Sequence, residues 1–166
     1  TDATMLSGES ANGDWPVEAV STMARIDVKA ENNLDLFGTE TFNFDKSDVT
    51  ETIGSAVAQA AKDLDIKVIV AATSSGYTAR MISKYGPNAD IRALTFDERT
   101  ERGLMVNWGV QPYVVGKPAD TDEMFALAAK KAVELGFAKS GDKIIVVAGV
   151  PMGTPGATNL MRVETI

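Results

Sequence analysis

Lys67-Val-Ile-Val-Ala-Ala72 runs straight into Thr73-Ser-Ser-Gly-Tyr-Thr78, and Ala79-Arg-Met-Ile-Ser-Lys-Tyr85 follows at once. A short apolar run, a loop of hydroxyls and glycine, and a helix-forming stretch spell strand, loop and helix. That geometry aims backbone N–H groups and the positive end of the helix dipole at one point. Gly76 lets the backbone take a positive φ or come close to a ligand. The hydroxyls of Thr73, Ser74, Ser75 and Thr78 add hydrogen-bonding capacity. The guest that suits such a loop is a phosphate. No lysine or arginine lies in the loop, so amides and hydroxyls have to hold the anion, with Arg80 the nearest fixed positive charge. The plainer reading is that Ser, Thr and Gly are good turn and N-cap residues whatever they bind.

A second loop of the same character weighs against the plainer reading. Lys143-Ile-Ile-Val-Val-Ala148 leads into Gly149-Val-Pro-Met-Gly-Thr-Pro-Gly-Ala-Thr-Asn159. Two Gly/Thr-rich loops that leave buried strands can meet at one edge of a parallel sheet, where ligands of open α/β sheets sit.

Working outward, Asp48-Val-Thr-Glu51 has the look of a capping box. Val49, Ile53, Ala56, Val57, Ala60, Ala61 and Leu64 then mark one helical face. A helix over 77–85 ends at Gly86-Pro87. Ile91–Thr95 is a strand, and Asp97 caps a helix reaching about Val106. Tyr113–Gly116 is a strand with Pro112 at its start. Asp120 caps a helix over 122–135, which stops at Gly136. Strand 143–148 precedes a closing strand over 160–166. The order α-β-α-β-α-β-α-β-β gives an α/β fold, a three-layer α/β/α sandwich with a mostly parallel five-stranded sheet. The last strand follows through a loop with no helix, so it is antiparallel and at an edge.

Residues 1–33 differ from the rest. A short apolar piece and a small polar loop end at Gly13, and Asp14-Trp-Pro16 opens a helix with Val17, Val20, Met23 and Ala24 at helical spacing. Residues 32–47 form a linker whose Leu36, Phe37, Phe42 and Phe44 suit plain packing.

Composition narrows the chemistry. The 166 residues, 45% of them hydrophobic, suffice for one full domain with a piece of another. No cysteine or histidine is present, which excludes disulfides, thiolate catalysis, Ser-His-Asp triads and His or Cys metal sites. A net charge of −7 argues against nucleic-acid or anionic-membrane partners. No apolar run approaches the roughly 20 residues of a membrane span, and no signal peptide is visible. A start at Thr1 reads as that of an excised or processed chain.

Ala3-Thr-Met-Leu-Ser-Gly-Glu-Ser-Ala-Asn-Gly-Asp-Trp-Pro-Val-Glu-Ala-Val20 resembles the eighth-strand and helix segment of pyruvate kinase, whose pattern is M-L-S-G-E-[TS]-A-x-G-x-[YW]-P-x-E-A-V. The resemblance continues along the chain. Thr73-Ser-Ser-Gly-Tyr-Thr-Ala79 is similar to that family's effector loop. Gly153-Thr-Pro-Gly-Ala-Thr-Asn-Leu-Met-Arg-Val163 is similar to its C-terminal loop and last strand. The resemblance implies that residues 1–33 are the end of a catalytic TIM barrel and 34–166 a regulatory domain. It implies a cytoplasmic, ATP-binding glycolytic phosphotransferase that moves phosphate from phosphoenolpyruvate to ADP with Mg²⁺ and K⁺. Ser7 and Glu9 then belong to the barrel rim near the active site, Ser7 in a proton-relay region. The chemistry-bearing lysine, acidic metal ligands and relay threonine lie upstream of this segment, so the chain alone is expected to be inactive and to hold no cofactor or metal.

By the same resemblance an effector's phosphate lies on Thr73, Ser74, Ser75, Gly76, Tyr77 and Thr78. The loop Gly153, Thr154, Pro155 and Gly156 closes over the rest. Forms activated by fructose 1,6-bisphosphate often carry Lys or Arg in the first loop and a Trp/Arg pair for the second phosphate. Here Ser74 and Tyr77 are neutral, Arg162 is the only arginine after Arg102, and the 122–135 helix offers Lys130 and Lys131. A phosphorylated effector of the monophosphate kind, a sugar phosphate or AMP, is therefore expected ahead of the bisphosphate. Strand 160–166 is the expected edge for self-association, a dimer for this chain and a homotetramer for full-length relatives. Residues 1–33, with a strand that has no sheet to join, are expected to be disordered or docked on a neighbour. Two other readings remain. The loop also fits the [TS]-x-T-G-x-T phosphate loop of flavodoxin-like FMN binders, although Trp15, Trp108 and Tyr113 are not obviously at the loop rim. A purely structural assembly domain is the third.

Overall fold

The structure is a computed structural model that describes residues 2–32, 48–151 and 156–166. The chain divides into two compact units, Thr1–Glu40 and Thr41–Ile166.

The first unit is helical. Ser7 precedes a one-turn helix, α1 (Gly8–Ala11), and Pro16 sits in the first turn of α2 (Pro16–Glu31), where its missing N–H costs nothing. Residues 2–7 form no strand, and the short helix α1 takes part of what the sequence reads as a polar loop. Thr4 Oγ1 donates to Asp27 Oδ2 at 2.8 Å, which ties the leading segment to α2. No residue of α2 is buried. Trp15, Val17, Val20, Ile26 and Val28 all stay exposed.

The second unit has the element order α3 (Val49–Asp63), β1 (Val68–Ala72), α4 (Tyr77–Lys84), β2 (Asp90–Thr95), α5 (Glu98–Leu104), β3 (Val110–Val114), α6 (Thr121–Glu134), β4 (Lys143–Ala148) and β5 (Leu160–Thr165). The sheet runs β3-β2-β1-β4-β5. The first four strands are mutually parallel, and β5 lies antiparallel on β4 at the edge. The α/β sandwich read from the sequence is the fold observed.

Alternation along β1 builds the layers. Ile69 and Ala71 face Val57 and Ala61 of α3, Ile82 of α4 and Leu104 of α5. Val68 and Val70 face Met124, Phe125 and Ala128 of α6. Both faces of the strand are covered, so its sequence is an unbroken apolar run, as buried parallel strands require. Within the described residues of this unit α6 is the helix on the second face, and two arginines extend its reach. The Arg92 guanidinium lies 4.3 Å from the centre of the Phe137 ring, and that of Arg162 lies 4.5 Å from Phe125.

Three details differ from the sequence reading. The buried stripe of α3 is Thr50, Gly54, Val57 and Ala61, while Val49 and Leu64 are exposed. Gly54 belongs to the stripe because the Tyr85 ring packs there: a Cβ on Gly54 would lie 2.7 Å from Tyr85 Cε2. Second, β3 begins at Val110, which places Pro112 in mid-strand opposite Ala93. The position is tolerated because β3 is an edge strand with one side of its ladder unpaired. Third, Glu51 does not complete a capping box. Asp48 accepts from the amides of Thr50 and Glu51, whereas the Glu51 carboxylate crosses to α4 and binds Lys84 Nζ at 2.6 Å and the Tyr85 hydroxyl. The apolar set Leu36, Phe37, Phe42 and Phe44 lies outside the described residues.

Candidate functional site

The strand order fixes where a ligand can sit. From β1 the chain moves to β2 on one side, and β4 later returns to the other side of β1. The crevice beyond the C-terminal ends of β1 and β4 is thus the topological switch point. A cleft opens there, floored by Ala72 and Ala148. Thr73, Ser74, Ser75, Tyr77 and Thr78 form one side, and Gly149, Gly156 and Ala157 come from the loop after β4. Both loops singled out in the sequence therefore meet at one place.

Local chemistry shapes the first loop. Gly76 occupies the N-cap position of α4 with φ +78°, in the left-handed region. A Cβ there would also meet Leu104 Cδ2 at 3.0 Å, so glycine is required both for conformation and for space. The Thr73 amide donates to Leu94 O at 3.0 Å, which anchors the loop to β2. Thr100 Oγ1 lies 3.3 Å from Ser74 O, a long contact that shares its one proton with Asp97, and Arg80 Nη2 donates to Ser75 O at 3.2 Å. Arg80 thus braces the loop from within its own helix. Thr100 also bonds Asp97 Oδ2 at 2.7 Å, and that bond, with the Thr100 amide, holds the Asp97 carboxyl below its ordinary range.

The hydroxyls of the loop have different employments. Thr73 is nine-tenths buried and lines the cleft, and its side chain makes no hydrogen bond among the described residues. Thr78, equally buried, bonds the hydroxyl of Thr158 at 2.9 Å. This bond joins the start of α4 to the end of the second loop across 80 residues of sequence. A hydroxyl has one proton, so Thr78 can donate to a ligand only while Thr158 donates to Thr78.

The base of the second loop is held as firmly. Asn159 Oδ1 accepts from Val150 N at 2.9 Å, and its Nδ2 donates to Val150 O at 2.6 Å. Gly149 lies so close to Ala157 that a Cβ would stand 1.8 Å from the Ala157 carbonyl oxygen. Of the closing residues expected from sequence, Gly156 lines the cleft, and Gly153, Thr154 and Pro155 lie outside the described residues.

The far wall was not foreseen. It consists of Leu94, Phe96, Val115, Pro118, Met124 and Leu127. The signal was available, because Phe96 and Val115 directly follow the C-terminal ends of β2 and β3, the same sheet edge from which the phosphate loop leaves. Lys117 stands beside this wall with its ammonium 5.6 Å from the centre of the Phe96 ring. Neither Trp108 nor Tyr113 lines the cleft.

Ser7 and Glu9 lie together in the first unit. Glu9 Oε2 accepts from the Ser7 amide at 3.0 Å. That bond and one from its own amide, the larger influence, hold the Glu9 carboxyl below its ordinary range. Among the described residues no cluster of acidic side chains could hold a metal ion, and no helix is long and apolar enough to cross a membrane.

Fold and cleft define an open, doubly wound α/β domain with its cavity at the switch point. The family described as "Pyruvate kinase, alpha/beta domain" matches residues 51–164. The pyruvate kinase of Lactococcus lactis is 56% identical over the whole of this chain and 33% of its own length. That of Lactobacillus delbrueckii is 55% identical over all of this chain and 29% of its own. A crystal structure of a pyruvate kinase from Cryptosporidium parvum superimposes with a TM-score of 0.80 at 33% identity, covering 97% of this chain and 32% of that one. This chain belongs to the pyruvate kinase family, as the part that carries the C-terminal α/β domain. It spans about a third of the length of these relatives.

Proposed function

We propose that the second unit is the regulatory domain of a pyruvate kinase and that its cleft binds the phosphate of an allosteric effector. The observation that carries this reading is the loop itself: Gly76 opens α4 with positive φ, and Thr73, Ser74, Ser75 and Thr78 line the cleft beyond β1. The Thr73 side chain lines the cleft and can donate into it, and the N-terminus of α4 favours a phosphate oxygen beside it. Ser74, Ser75 and the amides up to Thr78 supply the rest of the cradle. The described part of the cleft lining has no lysine or arginine. A monophosphate, whether a sugar phosphate or AMP, suits it better than fructose 1,6-bisphosphate, whose second phosphate would lack a charge-assisted bond.

In the whole enzyme the domain would bias the barrel that transfers phosphate from phosphoenolpyruvate to ADP, with Mg²⁺ and K⁺ held by parts of the enzyme beyond this segment. An effector does this only by binding two states unequally. Ser7 and Glu9 would stand at the rim of that barrel. The chain alone is proposed to be inactive, cytoplasmic in setting, and to self-associate through β5, as a dimer here and a homotetramer at full length. An amide NMR titration with ribose 5-phosphate, AMP and fructose 1,6-bisphosphate tests the site. Shifts centred on Thr73, Gly76 and Thr78, weakest for the bisphosphate, are expected. Tightest binding by the bisphosphate would overturn the monophosphate reading.

A further inference from the structure

We propose that Asn12 is a site of spontaneous covalent modification, which loses its side-chain nitrogen as ammonia and passes through a cyclic imide to aspartate and isoaspartate. The proposal is independent of the cleft in the second unit and rests on the turn between α1 and α2.

Asn12 is the asparagine of this chain that precedes a glycine. Every other one precedes Asn33, Leu34, Phe44, Ala89, Trp108 or Leu160. The following residue matters because its amide nitrogen is the nucleophile, and a Cβ there crowds the approach. The turn keeps the glycine in place. A Cβ on Gly13 would stand 2.6 Å from the Glu9 carbonyl oxygen, a backbone atom that cannot swing aside.

Both reacting groups are unoccupied. Asn12 and Gly13 are exposed. The Asn12 amide donates to Gly8 O at 3.0 Å, but its side chain and the Gly13 amide make no hydrogen bond among the described residues. Asn12 has ψ +11°. Rotation about that bond, which carries the Gly13 nitrogen toward Asn12 Cγ, therefore breaks no hydrogen bond of either group. Asn159 is the contrast. Its Oδ1 and Nδ2 are held by the Val150 backbone at 2.9 and 2.6 Å, and Leu160 after it starts β5.

The chemistry needs only water. The Gly13 amide gives up its proton, and its nitrogen bonds to Asn12 Cγ. The Cγ–Nδ2 bond breaks, and Nδ2 leaves as ammonia with that proton. Water then opens the ring, and the Gly13 nitrogen regains a proton. Cleavage between that nitrogen and Cγ gives aspartate, whereas cleavage at the main-chain carbonyl gives isoaspartate. Either product adds a carboxylate to a turn that already carries Glu9 and Asp14. Isoaspartate also lengthens the main chain by a methylene group just before Trp15 and Pro16 start α2.

The test ages this chain, folded and in urea, at neutral and mildly alkaline pH. Peptide mapping by mass spectrometry follows each asparagine, and an isoaspartyl carboxyl methyltransferase reports isoaspartate. In the folded chain Asn12 is expected to convert at least about tenfold faster than Asn88, Asn107 or Asn159, because glycine alone leaves the nucleophile uncrowded. Its rate should rise with hydroxide concentration and stay within about tenfold of the rate in urea, since the turn holds neither group. In N12Q, whose ring would need a further carbon, the methyl-accepting product should vanish while helix content is unchanged. Conversion in urea with none in the folded chain would show that the turn protects the bond, and overturns the proposal. Conversion at Asn12 no faster than at Asn88 and Asn107, or methyl acceptance that persists in N12Q, overturns it equally.

Discussion

Gly149 carries the sharpest steric demand among the glycines of the described residues. Its missing side chain is what allows the Ala157 carbonyl to cross the start of the second loop, and a methyl group would land 1.8 Å from that oxygen. The obstacle is backbone, so it cannot swing aside. G149A is expected to destabilise the second unit by about 1–3 kcal/mol, the usual cost of overpacking, read as a lower urea midpoint. An unchanged midpoint would mean that the loop relaxes freely. The Thr78–Thr158 bond allows a cleaner experiment. In T158V the Thr78 hydroxyl stays buried and loses its partner, at about 1–3 kcal/mol, whereas T78V/T158V removes both polar groups and should recover most of that loss. The double-mutant cycle then reports a coupling energy that a mere packing defect would not show. Neither effect could be read from the sequence. Thr78 looked there like a ligand for phosphate, and nothing local discloses a partner 80 residues away.

Among the elements, the seam between α3 and α4 joins packing to titration. Gly54 makes room for the Tyr85 ring, and Glu51 receives both Lys84 and the Tyr85 hydroxyl. Lys84 first, then Tyr85, hold the Glu51 carboxyl below its ordinary range. A carboxyl depressed in the folded state contributes stability above its unfolded value, about pH 4.3, and loses it as pH falls through the folded value. Burial first, then Glu51, pushes the Tyr85 hydroxyl up, so its contribution is complete below about pH 10 and is lost as pH rises beyond. The stability gap between the unmodified chain and E51Q should therefore be widest near neutral pH and shrink as pH falls from about 6 to about 3. Urea melts across that range decide it, and a gap independent of pH would refute the linkage. The sequence revealed the helix and its Asp48 cap. It read Val57 and Ala61 onto the buried face, with Ile53 and Ala60 beside them, but missed the small Thr50 and Gly54 and added Val49 and Leu64, which are exposed. Strand edges blurred for a related reason. Pro112 looks like a boundary wherever it occurs, and only the position of β3 at the sheet edge makes it an interior residue.

For the molecule as a whole, alternating strands and helices made the topology legible, since parallel strands buried on both faces leave unbroken apolar runs that few other structures produce. The cleft was half legible. Its polar side follows from turn chemistry beside a strand, but its apolar wall is assembled from the ends of β2, β3 and the start of α6, a convergence that exists only once the sheet is ordered. The same order leaves two edges, and they differ in consequence. The β3 edge carries Pro112 and faces outward with a broken donor row. The β5 edge has six residues, Leu160–Thr165, without a proline, and among the described residues it pairs only with β4. The proposed pairing with a second copy of the chain would use its outward ladder, since unpaired edges invite partners. Val163, 41% exposed between Arg162 and Glu164, offers apolar surface for such a pairing. V163K places a charge in that row without touching the fully buried core. Sedimentation of the unmodified chain should show mass-dependent dimerisation, and V163K should shift it toward monomer by about tenfold in dissociation constant, roughly 1.4 kcal/mol, with its thermal midpoint at low concentration unchanged. Should V163K dimerise as tightly as the unmodified chain, pairing through β5 is excluded, and the β3 edge, despite its proline, becomes the surface to test.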